Sequence, residues 1–443
     1  AALSRASGRD LGVWARQWLQ TSGISTLTAE LETAEATPRG PTLARATVLQ
    51  DALDPATGRQ ELRPHRLRIG LYNFDAAGAL VRTDSVETDL SGAAEEIPAL
   101  AGKQLPALLL VNDEDLSYAK VRLDPASEVT VRSSLDRISD PMARALCWSA
   151  LWNSARDGLS PACLYVQAVQ QFAPAETGIG VLLNVLGNAS TALEHFVGAG
   201  ERPGLREAFT RAAAVELRRA SPGSDQQLAW ARTLATLSRK NVSELNLLRA
   251  LLDGTETVPG LAVDAELRWN LWHALAAHGL ASREELDAEL SRDLTASGRA
   301  GHATALAARP VPAVKAAAWR AAVHGTELSN QLLSATIAGF TTSPPELLAP
   351  FVEPYFDCLE PVWAGRSIEI AGRIVRGLYP GSQELLPGAA PEDHPVVVRT
   401  DAWLAGHREA PPALRRIVIE QRSHLHRALT AQAVSLKTPS VAP

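Results

Sequence analysis

The sequence has little of several features that mark specialised classes of protein. It holds three cysteines among 443 residues, one methionine and no apolar run of about twenty residues, the length that spans a membrane. Few, scattered cysteines argue against a disulfide-stapled secreted scaffold, and the missing apolar run argues against a transmembrane helix. Basic residues (43) do not outnumber acidic ones (49), so the formal net charge is −6. Binding to nucleic acid or to an anionic membrane requires a basic excess, so we expect neither partner.

What the chain does contain is typical of a globular protein with two or three domains. Apolar residues make up 46% and charged residues 21%, and a chain of this length exceeds what one hydrophobic core usually serves. Cys147, Cys163 and Cys358 lie in apolar helical patterns, which favours buried free thiols in a reducing compartment. The N-terminus lacks the layout of a signal peptide. The sequence therefore predicts a cytoplasmic location.

The N-terminal segment indicates a piece of a longer protein. The chain begins at Ala1 inside an amphipathic stretch, and its only methionine is Met142. We therefore expect it to be the C-terminal part of a longer polypeptide.

The segment DLGVWARQWLQTSG predicts one helix that begins at the N-cap Asp10 and ends near Gly23. Leu11, Trp14 and Trp18 fall on one face at spacings of three and four. Two tryptophans on one face need a large surface to pack against. We expect this face to contact a preceding domain.

Between Thr26 and Leu123 the apolar residues alternate in short runs that Pro, Gly and Asp interrupt, which predicts five to seven strands in a small antiparallel β-sandwich. The run RLRIGLYNFDAAGALVRTDSVETDL at 66–90 predicts a β-hairpin with Ile69 and Leu71 in the core. The run at 108–111 is apolar throughout, which favours a strand buried on both faces. The acidic NDED at 112–115 predicts a turn or a solvent-facing edge.

From Asp136 onward the pattern is helical. Segments of ten to eighteen residues, about fourteen in all, alternate with caps and breakers such as SPGSD, TVPG and TTSPP. The fold class is therefore multidomain: a small antiparallel β-sandwich followed by a large all-α superhelical domain, a bowl-like solenoid of helix pairs. The last residues, 438–443, predict disorder.

Catalytic motifs are missing from the sequence. The HExxH pattern, in which two histidines one turn apart hold zinc, does not occur, and neither does CxxC. His273 and His278 are five residues apart and His424 and His426 only two, so both pairs are interpreted as surface or hydrogen-bonded histidines. Walker, dinucleotide-binding and GxSxG patterns are absent too. We expect no catalytic residues and no metal ligands, and hence no activity from this chain alone.

One candidate binding segment is EPYFDCLEPVWAGRSIEIAGRIVRGLYP at 353–380, interpreted as a single helix. Its face combines Trp363, Arg366, Glu369 and Arg373. The simpler interpretation is an i,i+4 pair between Glu369 and Arg373 that contributes about 0.2–0.5 kcal/mol. The alternative is a basic, aromatic wall that binds the carboxylate of a peptide through bidentate arginine.

Several strings resemble one family in order along the chain, from residue 1 to about 433. They are SGRDLGVWARQWLQTSGISTL, LRPHRLRIGLYNFDAAGALVRTDSVETDL, LLLVNDEDLSYAKVRLD, ARALCWSALWNSARDG and YFDCLEPVWAGRSIEIAGRIVRGLYP. Each is similar to the C-terminal half of bacterial, particularly actinobacterial, aminopeptidase N, a family of zinc-dependent gluzincin metallopeptidases.

The resemblance implies a division into three parts: 1–24 as the closing helix of a catalytic domain, 25–130 as a sandwich spacer and 131–443 as a helical bowl. It also implies that zinc and the catalytic residues belong to an N-terminal half, which is the expected partner together with peptide substrates. This sequence departs from the family pattern because it contains none of the catalytic motifs.

Two functions from different classes follow from the sequence. The first is the C-terminal structural and substrate-enclosing portion of a zinc-dependent aminopeptidase that removes N-terminal amino acids from peptides. The alternative is a stand-alone α-solenoid adaptor that binds protein partners on its concave face.

Overall fold

Seven strands form two sheets in the first part of the chain. The computed structural model describes residues 2–8, 10–37, 40–54 and 58–437. The strands are β1 (Thr26–Thr37), β2 (Gly40–Asp51), β3 (His65–Phe74), β4 (Leu80–Leu90), β5 (Ala94–Glu96), β6 (Leu108–Val111) and β7 (Lys120–Arg122). One sheet has the order β5-β2-β1-β7 and the other β4-β3-β6.

Two helices precede the strands and seventeen follow them in the described part of the chain. They are α1 (Ala2–Ser7), α2 (Gly12–Leu19), α3 (Pro125–Ser134), α4 (Pro141–Arg156), α5 (Ala162–Phe172), α6 (Ile179–Thr191), α7 (Arg202–Arg219), α8 (Asp225–Ser238), α9 (Leu245–Asp253), α10 (Ala265–Ala277), α11 (Arg283–Arg292), α12 (Ala296–Ala308), α13 (Pro312–Val323), α14 (Asn330–Thr341), α15 (Pro345–Leu348), α16 (Val352–Gly365), α17 (Ile368–Gly377), α18 (Pro395–Gly406) and α19 (Pro412–Lys437). The predicted fold class, a small β-sandwich followed by a large helical region, is confirmed.

The two sheets share one hydrophobic core, as in a β-sandwich. Leu27 and Val48 from the first sheet and Leu67, Ile69 and Val111 from the second belong to the same buried cluster. Every pairing is antiparallel except that of β1 with β7, which is parallel. The first sheet is therefore antiparallel except at its β7 edge, whereas an antiparallel sandwich was predicted. The apolar alternation along one strand does not encode the direction of the neighbouring strand.

The predicted hairpin is formed by β3 and β4. Their register runs from His65 opposite Leu90 to Phe74 opposite Leu80. Ile69 is fully buried and Leu71 is buried, which confirms both as core residues. The turn holds because the Asp75 carboxylate accepts hydrogen bonds from the backbone N–H groups of the two residues 77 and 79, each at 2.9 Å.

The acidic turn after β6 is only partly as predicted. All four residues of β6 are buried, and a 3₁₀ turn (Asp113–Asp115) follows as expected. Asp113 does not face solvent, however, because its side chain is 1% exposed. Asn112, Glu114 and Asp115 have positive φ values of 58°, 67° and 53°. The Asp113 carboxylate instead accepts hydrogen bonds from Tyr72 on β3 and Arg82 on β4.

Arg63 ties the N-terminal helix α2 to the sandwich. Its guanidinium donates to the Gln17 carbonyl at 3.0 Å, to the Thr21 hydroxyl at 2.7 Å and to the Ser22 carbonyl at 2.9 Å. The same guanidinium lies 5.7 Å from the centre of the Trp18 ring. The end of this helix is thus held by groups more than forty residues away in the sequence.

His65 beside this helix makes stability depend on pH. It is 3% exposed, its Nδ1 lies 2.6 Å from the Ser117 hydroxyl, and its Nε2 is buried without a hydrogen-bond partner. Burial, and secondarily Arg63, lower the pKa of His65 from 6.5 to about 4. In the unfolded chain this residue is protonated below about pH 6.5, whereas in the folded chain it stays neutral down to about pH 4. Protonation between these two pH values therefore favours the unfolded state.

We expect the free energy of unfolding to fall by about 2.5 kcal/mol between about pH 7.5 and about pH 4.5 through His65. The variant His65→Gln should lack this part of the pH dependence. Urea unfolding at both pH values gives the change in unfolding free energy for the wild-type protein and for the variant. Subtracting the second change from the first removes the contribution of the other histidines, which both proteins share. Identical pH profiles for the two proteins would contradict the assignment.

The chain divides into two compact units, residues 1–154 and 155–443. Inside the second unit, a row of helices contact one another in sequence order, skipping one helix at each step except two between α14 and α17: α6, α8, α10, α12, α14, α17 and α19. Gly339 allows the close approach of α14 to α12, because an added Cβ would lie 2.1 Å from the carbonyl oxygen of Thr304. A row of alternate helices is the packing expected of an α-solenoid.

The last helix of this unit also contacts its first. α19 packs against α5 and against a π-helical turn (Ala192–Phe196). Gln432 on α19 is 1% exposed. Its amide donates to the carbonyls of His195 at 2.7 Å and Gln383 at 3.0 Å, and its carbonyl accepts from the Leu385 N–H at 2.8 Å. One side chain thus joins three segments that are far apart in sequence.

The predicted disorder at 438–443 lies outside the described residues. Within the described ranges, no helix combines the length and the apolar character that crossing a membrane requires.

Candidate functional site

The candidate segment at 353–380 is two helices, so the interpretation as one helix is wrong. α16 ends at Gly365, Arg366 adopts an extended conformation, and the Ser367 side chain caps α17 by accepting from the Ile370 N–H. A serine with a free hydroxyl favours a new helix start over continuation, because it satisfies an orphan N–H. Trp363 and Arg373 therefore do not share a helix face.

The break between the helices lies beside a cavity of about 440 Å³ between α13 and α16. The lining residues follow helical spacing on each side: Trp319, Val323 and His324 from α13 and its end, Pro354, Asp357, Cys358, Pro361 and Val362 from α16, and Arg366 after it. Trp319, Val323 and Val362 are buried. Asp357, His324 and the two prolines are exposed. The cavity thus has an apolar floor and a polar rim.

Arg366 is the predicted site residue that lines this cavity. Its Nη2 donates to the carbonyl of Val323 at 3.2 Å and to that of Gly325. These are carbonyls at the C-terminal end of α13, where a cation interacts favourably with the helix dipole. The guanidinium is therefore held in place by backbone, and it makes no ion pair with a carboxylate in the part of the chain that the structure describes.

Asp357 and Pro361 were not identified from the sequence. Pro361 lies inside α16 and has no N–H, so the helical hydrogen bond to the Asp357 carbonyl is missing. The sequence did contain a signal for them, because a proline four residues after an aspartate in a helical pattern leaves the aspartate carbonyl without its helical hydrogen bond. Nearby, burial raises the pKa of the Cys358 thiol to about 11, and its Sγ donates to the Tyr355 carbonyl at 3.2 Å. The thiol is therefore protonated at neutral pH.

The other predicted substrate-contacting residues lie elsewhere. Trp363 packs against the hydrophobic cluster of this unit. Glu369 and Arg373 form the expected i,i+4 ion pair at 2.7 Å, and the guanidinium of Arg373 also donates to the Ser334 hydroxyl on α14 at 2.8 Å. The structure thus brings Glu369 and Arg373 together and separates them from Trp363.

The predicted interface residues lie on α2 or next to it. Leu11, Trp14 and Trp18 are half-buried. The Trp14 and Trp18 rings are 6.4 Å apart, and Trp18 meets the His65 ring edge-on at 5.3 Å. Part of this face is therefore used within the chain. Leu19, near the end of the helix, is 72% exposed.

The histidine pair on α10 and just after it is hydrogen-bonded, as predicted. His273 Nε2 lies 3.0 Å from the Thr342 hydroxyl, and His278 Nε2 lies 2.8 Å from the Ser238 carbonyl. Burial lowers the pKa of His273 well below its usual value. The three cysteines are free thiols.

A metal centre has no support in the described ranges of the chain. They contain no group of three or more histidine, cysteine, aspartate or glutamate side chains that could hold an ion. These residues do not fit a zinc site of the kind that the resemblance implies for a catalytic domain.

Comparison with known proteins supports the resemblance that the sequence suggests. Over 436 residues, 98% of the chain, it is 44% identical to the Aminopeptidase N of Streptomyces lividans. The aligned part is 49% of that protein, so the chain spans about half the length of the relative. Residues 108–427 match the family described as the ERAP1-like C-terminal domain. Because this match covers most of the chain, the chain belongs to the ERAP1-like C-terminal domain family.

Proposed function

We propose that the chain forms the C-terminal structural and substrate-enclosing portion of a zinc-dependent aminopeptidase that removes N-terminal amino acids from peptides. One observation carries this proposal: 98% of the chain aligns with about half of a protein named Aminopeptidase N at 44% identity. The missing HExxH pattern agrees with a chain that supplies no zinc ligands of its own. Zinc would be held by the other half.

The proposed division of labour follows the three parts inferred from the sequence. Residues 1–24 would close the catalytic domain, 25–130 would act as a spacer and 131–443 would enclose the substrate. The exposed side chains on α2, Val13 at 57% and Leu19 at 72%, support a contact between this helix and the other half through Leu11, Trp14 and Trp18. Two tryptophans in a partly open face are typical of an interface.

Substrate contact is proposed for Arg366 and for the pair Glu369 and Arg373. Arg366 supports it best, because it lines a cavity and no carboxylate neutralises it in the described residues. A guanidinium with free donors suits a peptide carboxylate. A cytoplasmic location is also proposed, supported by the three free cysteines.

The test is to combine the purified chain with the half of the Streptomyces lividans relative that it does not match. Alone, the chain should contain no stoichiometric zinc by elemental analysis and should not cleave an aminoacyl p-nitroanilide. With the other half, it should form a complex and raise cleavage above that of the half alone. Trp14→Ala should weaken the complex, whereas Leu386→Ala, which changes a 71% exposed leucine in the second unit, should not.

Two outcomes would count against the proposal. Failure of the halves to associate would contradict the proposed role as one portion of an assembled aminopeptidase. If the chain stays monomeric, does not bind the other half and binds a folded protein, the adaptor function is favoured instead, since helical solenoids commonly bind protein partners.

A further inference from the structure

We propose that α2 and the segment 116–118 form one apolar docking face for the half of the aminopeptidase that this chain does not supply, with Tyr118 as an anchor. This inference rests on the proposed function and extends the contact proposed for α2 to a second segment of the chain. The docking face consists of the half-buried residues Leu11, Trp14 and Trp18 and the exposed residues Leu19, Leu116 and Tyr118.

Helix α2 alone is too small for an interface between two large halves of a protein. It has eight residues, whereas a specific interface uses about 20–30 residues on each side. Part of its apolar surface is already used within the chain, because Trp18 packs against His65 and Arg63. Exposed apolar residues next to α2 are therefore expected to take part in the same interface.

Two contacts place the segment 116–118 beside α2. Trp18 meets the His65 ring at 5.3 Å, and His65 Nδ1 lies 2.6 Å from the Ser117 hydroxyl. The helix and the segment thus contact the same histidine. The Lys120 N–H, just after the segment, donates to the Ser25 carbonyl, just after α2, at 2.8 Å. These contacts make the two surfaces neighbours within one compact unit.

The segment is held in a fixed conformation that presents two apolar side chains. Asn112 is fully buried; its Nδ2 donates to the Ser117 carbonyl at 2.7 Å, and its Oδ1 accepts from the Ser117 N–H at 3.0 Å. On either side of Ser117, Leu116 is 49% exposed and Tyr118 is 75% exposed. A tyrosine on a fixed turn loses little conformational entropy on binding, so the segment is preorganised for contact.

The composition of the docking face indicates an apolar partner surface. No charged residue occurs between positions 116 and 119, and α2 contains one, Arg16. Charged residues are depleted at the cores of interfaces, where tyrosine and tryptophan are enriched. The Tyr118 ring suits an apolar pocket with a hydrogen-bond acceptor for its hydroxyl.

The other half of the aminopeptidase is the occupant that fits this face. The chain aligns with 49% of the relative, so about half of that polypeptide lies outside the aligned part. A surface that the other half covers in the whole protein is exposed when one half is taken alone. Single exposed apolar residues need no such explanation, but contiguous ones mark an interaction site, and here they flank the contacts of one histidine.

The experiment titrates the full chain with the unmatched half of the Streptomyces lividans relative by isothermal calorimetry. Tyr118→Ala should weaken association at least about tenfold, as expected for a buried aromatic anchor. Tyr118→Phe should weaken it less, because it keeps the ring. Since Tyr118 is largely exposed in the chain alone, neither variant should change the midpoint of thermal unfolding.

Phe74→Ala is the matched control. Phe74 is another exposed aromatic residue of the sandwich, 45% exposed, and it lies at the opposite end of β3 from His65. Ten residues of strand separate the two by about 30 Å. This variant should associate with the other half as tightly as the wild-type chain.

The outcomes distinguish this inference from the proposed function. If Trp14→Ala weakens association and Tyr118→Ala does not, the segment 116–118 is not part of the interface and the inference is wrong, while the proposed function stands. If the halves do not associate at all, both are wrong. A wild-type chain that is dimeric by light scattering and becomes monomeric in Tyr118→Ala would show that the face pairs two copies, which also overturns the inference.

Discussion

Replacing Asp113 by alanine should lower the free energy of unfolding of the β-sandwich by about 2–4 kcal/mol, because a buried hydroxyl loses its acceptor and an ion pair loses its buried member. The Asp113 carboxylate is 1% exposed. It accepts from the Tyr72 hydroxyl at 2.9 Å and from the Arg82 guanidinium at 2.8 Å. Without it, the fully buried Tyr72 hydroxyl is left without its acceptor, and Arg82 loses one of its two carboxylate partners while it keeps Glu114.

The surrounding strand is shaped around this carboxylate. A Cβ on Gly70 would lie 2.3 Å from the Asp113 Oδ2, so β3 approaches it where only glycine fits. The pairing of β3 with β4 also shifts register between Leu71 and Tyr72. Asp113 therefore stabilises an irregular part of the sheet, where the register shift interrupts the regular ladder of backbone hydrogen bonds.

Hydrogen exchange across β3 and β4, together with urea unfolding, measures the effect of Asp113→Ala. The matched control is Glu114→Gln, because Glu114 also binds Arg82, at 2.8 Å, but from a position 35% exposed. An exposed ion pair is worth about 0–1 kcal/mol, so this variant should stay close to the wild-type protein. An Asp113→Ala protein as stable as Glu114→Gln would show that the buried carboxylate does not stabilise the sheet.

The second large effect is expected at Gln432. The variant Gln432→Leu keeps the volume of the side chain but leaves the Leu385 N–H and the carbonyls of His195 and Gln383 without their partner. Each unsatisfied buried group costs about 1–3 kcal/mol. Partial access of water to the 383–385 segment offsets some of this, so we expect a loss of about 2–4 kcal/mol.

Hydrogen exchange locates this effect as well as measuring it. Backbone amides of 192–197 and of 380–394 should exchange faster in Gln432→Leu, because the Gln432 side chain joins those segments to α19. Gln421→Leu makes the same chemical change on the same helix at a half-buried position and should alter exchange little. Faster exchange spread evenly over the whole unit, or none at all, would contradict a local joining role for Gln432.

For the candidate site, the sequence singled out Arg366 as a candidate but did not predict its surroundings. Arginine beside apolar residues suggested a carboxylate-binding wall, and Arg366 does line a cavity. Its partners are the carbonyls of Val323 and Gly325, more than forty residues earlier. The assumption of one continuous helix failed because Ser367 caps a new one, and a capping serine competes locally with helix continuation.

The sequence by itself determined the two classes of structure and their order. Alternation with period two fixed the strands of the hairpin and placed Ile69 in the core, since a one-residue slip would turn that side chain to solvent. Apolar residues at spacings of three and four predicted the helices from Asp136 onward. These are local consequences of backbone geometry, so they can be read from short windows of sequence.

Only the tertiary structure decided where polar groups are buried and what they bind. Asp113 lies in an acidic string that the sequence assigns to a turn or a solvent-facing edge, yet its carboxylate is buried against Tyr72 and Arg82 of the β3–β4 hairpin. Gln432 bonds a carbonyl 237 residues away. The desolvation cost of a polar side chain depends on whether such a partner is within reach, and that depends on the fold of the whole unit.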